Sequence, residues 1–236
     1  MKLRFEDWII HEDEGTLAIS KPPHIASLDE RTLAEPSIIR LAKAYNENLQ
    51  LCHRIDKETS GILLMAKTPE MYREIAMAFE KRRVEKVYHA VIDGAVNFQE
   101  HVVDLNIHVS KAGKVRIDRE GKEAVTLFQS LEIFQHFTLM ECMPLTGRMH
   151  QIRIHLASQN APITADTLYG GKMPYLSYIK RKFHQGKHSE ETPMINRFAL
   201  HAYSLFLQTE NLNLDLKAPY PKDFDVLVKL IRKYDL

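Results

Sequence analysis

The first quarter of the chain alternates between short apolar runs and polar turns. Apolar-rich runs at 8–11 and 16–20 flank the acidic segment 12–15, which ends in glycine, and this pattern is typical of two strands joined by a turn. Apolar residues then recur at helical spacing over 36–45, where Ser37 can act as the N-cap. The pattern therefore predicts a hairpin-like entry followed by a helix.

A polar segment at 52–61 leads into the apolar run 62–66. Such a run is typical of a buried strand, and a charged loop that precedes a core strand is a common place for chemistry. Thr68 can cap a second helix, which ends in the basic run 81–83. Residues 86–92 then predict another strand. Of these segments, the charged loop at 52–61 is the one in which we expect residues that take part in chemistry.

The rest of the chain, from residue 95 onward, begins with short strands and ends with a helix. Residues 95–145 predict an antiparallel meander, because short apolar runs alternate there with turn residues. A helix is expected over 147–158, and the polar stretch 173–196 resembles a long surface loop. Residues 199–208 return to strand, and apolar residues at helical spacing over 224–231 predict a closing helix.

Composition indicates an ordinary globular protein, which by its length is either one large domain or two small ones. The chain is 44% hydrophobic and 27% charged, with 32 basic and 31 acidic side chains. Cys52 and Cys142 form no CxxC pair, which is consistent with reduced cysteines. The sequence shows no apolar leader and no run of about 18 apolar residues. We therefore expect a monomer in the cytoplasm with no membrane contact, while the balanced charge leaves nucleic-acid binding open.

Several common chemistries lack support in the sequence. The nine glycines form neither a GxGxxG nor a P-loop pattern, so no nucleotide cofactor is predicted. Ser60 lacks the GxSxG elbow of serine hydrolases. His150 and His155 lie five residues apart, whereas a helical zinc pair needs a spacing of four. We expect neither a metal nor a cofactor.

Five segments of this chain, taken together and in their order, resemble the RluA-type family of RNA pseudouridine synthases. That family carries HRLDxxTSG, KxY, TGRxHQIRxHL and LHA signatures, and the resemblance covers about residues 21–205. The corresponding segments here are 51–61, 86–88, 145–156, 166–170 and 197–202. Three positions depart from the family pattern: Ile55 replaces leucine, and Ala165 and His24 stand where glycine is usual.

The resemblance implies an α+β fold in which a mixed, mostly antiparallel sheet is flanked by helices around a central cleft. It implies an isomerase that converts a specific uridine of structured RNA, ribosomal or transfer, into pseudouridine after base flipping. The reaction needs no redox step and no cofactor, which agrees with the missing nucleotide motifs. The resemblance implies a single catalytic domain over residues 1–236, and RNA affinity is expected from it, since no separate N-terminal RNA-binding module is recognisable.

By resemblance, three residues carry the reaction. Asp56 is the catalytic carboxylate, and it is suited to nucleophilic attack or to proton abstraction from the sugar. Arg153 is expected to pair with that carboxylate and keep it ionised. Tyr88 is expected to stack on the uracil. The residues alone leave other roles open: a capping turn for Asp56, a surface position for Arg153 and a core position for Tyr88.

Five further residues are candidates for RNA contact. Arg54 matches the family side chain that fills the place of the flipped base, and its plain alternative is an ion pair with Glu58. The other four are basic or polar residues that are expected to form a positive face of the cleft. These are Lys21, Lys86, Arg148 and His150. The basic segment 180–188 is either a further RNA contact or a solvated loop.

Two alternative functions compete with this hypothesis. One is a catalytically idle, synthase-like protein that acts as an RNA-binding or ribosome-assembly factor. Such a protein would be expected to have lost Asp56 or Tyr88, and both remain. The other is a small-molecule hydrolase that uses Asp56 and His53 and has no dependence on RNA.

Overall fold

The computed structural model describes residues 4–29, 35–184 and 190–236. These residues divide into two compact units. The first comprises Met1–Val87 and His201–Pro221, and the second comprises Tyr88–Leu200 and Lys222–Leu236. The division falls inside two strands, β5 (Val84–Asp93) and β11 (Leu200–Gln208). The basic segment 180–188 lies partly outside the described residues.

The first unit is built on a mixed sheet. After a short 3-10 helix at Phe5–Trp8, its remaining elements are β1 (Ile9–Glu12), β2 (Thr16–Lys21), α1 (Ile38–Tyr45), β3 (Gln50–Leu51), β4 (Ser60–Ala66), α2 (Pro69–Glu80) and β12 (Asn213–Lys217). The strand order in this unit is β1-β2-β4-β11, with β12 beside β11 and β3 beside β4. Among the described strands of this unit, only the β4–β11 pairing is parallel.

Strand β4 is the centre of the first unit because all seven of its residues are buried. Leu205 and Leu207 of β11 join its core, and α2 covers that core with Ile75 and Ala78. Both predicted N-caps are confirmed. Ser37 Oγ accepts from the backbone N–H of Arg40, and Thr68 Oγ1 accepts from that of Met71.

The second unit confirms the predicted antiparallel meander. Besides the rest of β5, it contains β6 (His101–Asp104), β7 (Ile107–Val109), β8 (Val115–Ile117), β9 (Val125–Ile133), β10 (Phe137–Pro144), α3 (Gln151–Ser158), α4 (Leu176–Ile179) and α5 (Lys222–Tyr234). The strand order is β5-β10-β9-β6, and β7 and β8 form a separate hairpin. The α+β class and the mostly antiparallel pairing agree with the sequence prediction.

Three details differ from the sequence prediction. Helix α3 begins at Gln151 rather than at residue 147, because residues 145–150 form a loop that the Gln151 side chain holds in place. Strand β12 and the short helix α4 were not predicted.

Among the described residues, no helix has the length and apolar character that a membrane crossing requires.

Candidate active site

Asp56 lies on the loop between β3 and β4, in the first unit. The loop is fixed at Ile55, whose carbonyl accepts from Ser27 Oγ at 2.8 Å and whose N–H donates to the same oxygen at 3.3 Å. The Thr59 N–H donates to the Asp56 carbonyl at 3.0 Å and closes a turn. Asp56 itself is half-buried. The backbone of this loop is therefore well defined on both sides of the carboxylate.

The LHA segment supports the end of the Asp56 loop. Gly61 has φ +109°, and a Cβ there would lie 2.1 Å from the carbonyl oxygen of Ala202, so only glycine fits. Ser60 Oγ and His201 Nδ1 are 2.9 Å apart, and His201 Nε2 lies 3.2 Å from the Ala218 carbonyl. Two of the sequence motifs thus meet through direct contacts between β4 and β11.

Lys21 does not have the exposed position that an RNA contact needs. It is fully buried, at 0% exposure. Its Nζ donates to three backbone carbonyls, those of Pro22 and Ile25 at 2.9 Å and that of Lys57 at 3.0 Å. The prediction that Lys21 binds RNA is therefore wrong for this structure, because the ammonium group ties segment 21–25 to the Asp56 loop from inside.

His53 also holds the loop from inside. Its Nε2 accepts from the Leu64 N–H at 3.0 Å, and its ring stacks on Phe79 at 5.0 Å. Burial, helped by the nearby Lys86 charge, lowers the pKa of His53 to about 3. A neutral imidazole whose acceptor nitrogen already bonds to β4 is a poor general base, which argues against the hydrolase hypothesis.

Lys86 and Arg54 have different surroundings. Lys86 is half-buried, and burial lowers its pKa to about 8. Arg54 is exposed and makes no hydrogen bond or ion pair within the part of the chain that the structure describes. Its predicted alternative partner, Glu58, instead contacts His24 Nδ1 at 2.5 Å. Arg54 is therefore not held in an ion pair with Glu58.

In the second unit, Arg153 lies on α3 and is buried, at 6% exposure. Its Nε donates to Asp166 Oδ2 at 2.7 Å, and its Nη2 donates to Asp166 Oδ1 at 2.9 Å. This two-point contact fixes the Nε and Nη2 edge of the guanidinium group. The alternative of a surface arginine is wrong. Pairing of Arg153 with Asp56 remains a prediction.

Two aromatic rings also contact the Arg153 guanidinium. Its Cζ lies 4.1 Å from the ring centre of Phe198 and 5.0 Å from that of Tyr169. The Tyr169 hydroxyl lies 2.9 Å from His150 Nδ1. One nitrogen of the predicted RNA contact His150 is therefore engaged within the unit. We refer to Arg153, Asp166, Tyr169 and Phe198 as the Arg153 cluster.

The loop before α3 is organised by Gln151. The Gln151 Oε1 atom accepts from Thr146 Oγ1 at 2.7 Å and from the Arg148 N–H at 2.9 Å. Its Nε2 donates to the Val125 carbonyl at 2.9 Å. The Arg148 Nε donates to the Glu123 carbonyl at 2.9 Å. Gln151 therefore occupies the Arg148 backbone N–H, and the Arg148 side chain is the part that stays a candidate for RNA contact.

His155 contributes to packing rather than to a metal site. Its Nδ1 lies 2.9 Å from Thr126 Oγ1, and its Nε2 lies 3.0 Å from the Leu105 carbonyl. Burial lowers the pKa of His155, so the ring is neutral and bridges α3 to β9 and to the residue that follows β6. The described ranges contain no group of three metal-ligand side chains arranged to hold an ion.

Tyr88, in the second unit, lies on β5 directly opposite Cys142 of β10. It is half-buried.

Sequence reasoning assigned no role to Asp166 or Phe198, although both stand in quoted motifs. A buried acid beside a motif arginine is recognisable only once the fold brings residues 153 and 166 together.

Comparison with known proteins identifies the class. Residues 15–158 match the family described as RNA pseudouridylate synthase. An uncharacterized RNA pseudouridine synthase of Helicobacter pylori is 34% identical over 221 residues, which span 92% of this chain and 76% of that protein. The ribosomal large subunit pseudouridine synthase C of Buchnera aphidicola is 30% identical over 240 residues, which span 97% and 72% respectively.

A solved structure supports the same fold. The human RNA pseudouridylate synthase domain containing 4 matches with a TM-score of 0.73 and 24% identity, over 97% of this chain and 94% of that one. Fold and comparisons together define an RNA-modifying isomerase. The chain belongs to the RNA pseudouridylate synthase family, as its motifs predicted.

Proposed function

We propose that this chain isomerises a specific uridine of structured RNA, with Asp56 as the catalytic carboxylate. The observation that carries the proposal is the anchoring of the Asp56 loop by Ser27, Lys21 and the β4–β11 contact, which presents a half-buried carboxylate on a rigid backbone. Large-subunit ribosomal RNA is the favoured substrate, because relatives bear that name. Transfer RNA is the alternative substrate.

The reaction divides into steps that suit these side chains. The bond between the sugar C1′ and uracil N1 breaks, the base turns, and a bond from C1′ to C5 forms. C5 then loses its proton and N1 gains one, so atoms balance without a cofactor. Asp56 attacks the sugar or removes a sugar proton, Arg153 keeps that carboxylate ionised, and Tyr88 stacks on the uracil and takes the C5 proton.

Base flipping explains the remaining residues. Removing a base from its stack costs a few kcal/mol, which contacts to the distorted RNA must offset. Arg54 fills the vacated position, and its exposure without an ion pair among the described residues supports this role. Lys86 and the side chains of Arg148 and His150 contact the RNA backbone.

The variant Asp56→Asn tests the proposal. We expect it to bind a folded RNA substrate with an affinity within about twofold of the original, because shape and charge contacts remain. We expect release of tritium from uridine labelled at C5 to fall at least about 1000-fold, because the carboxylate is lost. Asp215→Asn, at an exposed position on β12, is the control and should retain full turnover.

The outcomes separate the competing functions. Substantial turnover by Asp56→Asn would remove Asp56 from its role. RNA binding without turnover by the unaltered protein, on total ribosomal and transfer RNA from a strain lacking it, would favour the idle RNA-binding factor. Absence of salt-sensitive RNA binding would favour a small-molecule hydrolase.

A further inference from the structure

Three separate motifs contribute side chains to the Arg153 cluster. Arg153 comes from the TGRxHQIR-like segment, Asp166 and Tyr169 come from segment 166–170, and Phe198 comes from the segment before β11. All four residues lie within the second unit. The roles of Asp56, Tyr88 and Arg153 do not by themselves account for the presence of Asp166, Tyr169 and Phe198.

Phe198 is held tightly, which makes it suitable for fixing a neighbour. It is 7% exposed, and its carbonyl accepts from the Leu200 N–H at 2.9 Å. The Nη1 of Arg197 donates to the same carbonyl at 3.3 Å, and Arg197 Nε donates to Asp223 Oδ2 at 2.7 Å. The backbone that carries the ring is therefore anchored to the start of α5.

Tyr169 is also held in place by contacts within the second unit. Its hydroxyl bonds to His150 Nδ1, and His150 immediately precedes α3, the helix that carries Arg153. Its ring also packs against the small core of Ile107, Ala124 and Ile154. The Tyr169 ring is thus fixed with respect to the backbone of Arg153.

A two-point contact along one edge of a guanidinium group does not by itself prevent the group from tilting about that edge. Asp166 contacts the Nε and Nη2 edge, while the ring centres of Phe198 and Tyr169 lie 4.1 Å and 5.0 Å from Cζ and restrict such tilting. Arginine differs from lysine in this respect, because a planar group can be oriented by stacking.

We propose that Phe198 and Tyr169 are positioning residues for catalysis, which hold the Arg153 guanidinium in the orientation that its role in the reaction requires. The inference rests on the proposed function, since it assumes that Arg153 assists Asp56. His150 acts in the same arrangement by fixing the Tyr169 ring.

The test compares two leucine substitutions of buried phenylalanines in the second unit. Phe198→Leu removes the ring beside Arg153, whereas Phe137→Leu removes one at the start of β10. At a temperature where both variants are folded, we expect Phe198→Leu to lower the single-turnover rate about 5- to 20-fold, in line with one cation–π contact. RNA affinity should stay within about twofold, and Phe137→Leu should leave both quantities unchanged.

A second pair of variants separates the ring from the hydroxyl. Tyr169→Leu removes both, while Tyr169→Phe keeps the ring and loses the hydroxyl that bonds to His150. We expect the leucine variant to slow turnover more than the phenylalanine variant, with similar RNA affinity for both. Equal rates in the two variants would contradict a role for the ring.

Coupling to Arg153 decides between positioning and mere packing. In an Arg153→Lys background the planar group is gone, so Phe198→Leu should change the rate less than about twofold. The same fold-loss in both backgrounds, or no loss in either, would overturn the inference. If Arg153→Lys itself leaves the rate unchanged, the role of Arg153 in the proposed function fails, and the inference fails with it.

Discussion

At the scale of single residues, two departures from the family pattern have a common backbone explanation. His24 has φ 69° and Ala165 has φ 63°, so both occupy the left-handed region where the family usually has glycine. Both turns therefore have a backbone conformation that glycine adopts more readily than histidine or alanine. His24 is partly compensated by its contact with Glu58.

Ala165→Gly tests whether this conformation is strained. The left-handed region costs a non-glycine residue about 1–2 kcal/mol, which should offset the extra chain entropy of glycine and the lost methyl burial. We expect Ala165→Gly to be at least as stable to urea as the original protein. Ala76→Gly, in the middle of α2, should lose about 1 kcal/mol. An equal loss in both variants would contradict the strain.

Lys86 predicts a pH dependence of RNA binding. Because burial lowers its pKa to about 8, the side chain is charged at pH 7 and loses its proton as pH rises through 8. We expect RNA affinity to fall about three- to tenfold between pH 7 and pH 9. Lys86→Arg, which stays charged over that range, should be much less sensitive. Identical pH profiles for the two proteins would exclude Lys86 as an RNA contact.

At the scale of elements, the predicted strands and helices are largely those of the structure because their hydrophobic periodicity is strong. Helix α3 was predicted to begin too early, because hydrophobic spacing does not show that a Gln151 side chain organises the preceding loop. Strand β12 was missed although Leu214 and Leu216 alternate with polar residues, so its signal was present in the sequence.

The junction of β4 and β11 depends on Gly61. We expect Gly61→Ala to lose about 3 kcal/mol or more of unfolding free energy, because the new methyl group would meet the Ala202 carbonyl and the φ angle is left-handed. Gly113→Ala is the matched control, since Gly113 also has positive φ but no atom within 4 Å of a Cβ position. It should lose about 1 kcal/mol. Similar urea midpoints for the two variants would refute the close approach.

At the scale of the whole molecule, the near-equal numbers of basic and acidic side chains do not show how many cations are available to bind RNA. The chain has 32 basic and 31 acidic side chains. Lys21, Arg153 and Arg197 are buried and bound to protein groups, so they stabilise loops or neighbours rather than attract RNA from solution. Fewer cations remain for RNA than composition suggests, which favours moderate, shape-dependent affinity.

The sequence predicted the protein family and the candidate catalytic residues better than the contacts among buried side chains. Asp56, Tyr88 and Arg153 were predicted through motifs, and their catalytic roles stay predictions. The buried position of Lys21 and the Arg153–Asp166 pair could not be predicted, because both depend on contacts between segments distant along the chain. Exposure of a lysine is a property of the folded loop and not of its sequence.

The most direct test of pseudouridine formation is a map of modified uridines in cells that lack the gene. Carbodiimide treatment and primer extension should show loss of a specific pseudouridine, and we expect it in large-subunit ribosomal RNA. The original gene should restore the modification, and a gene carrying Asp56→Asn should not. Unchanged profiles of ribosomal and transfer RNA, or restoration by Asp56→Asn, would contradict the proposed function.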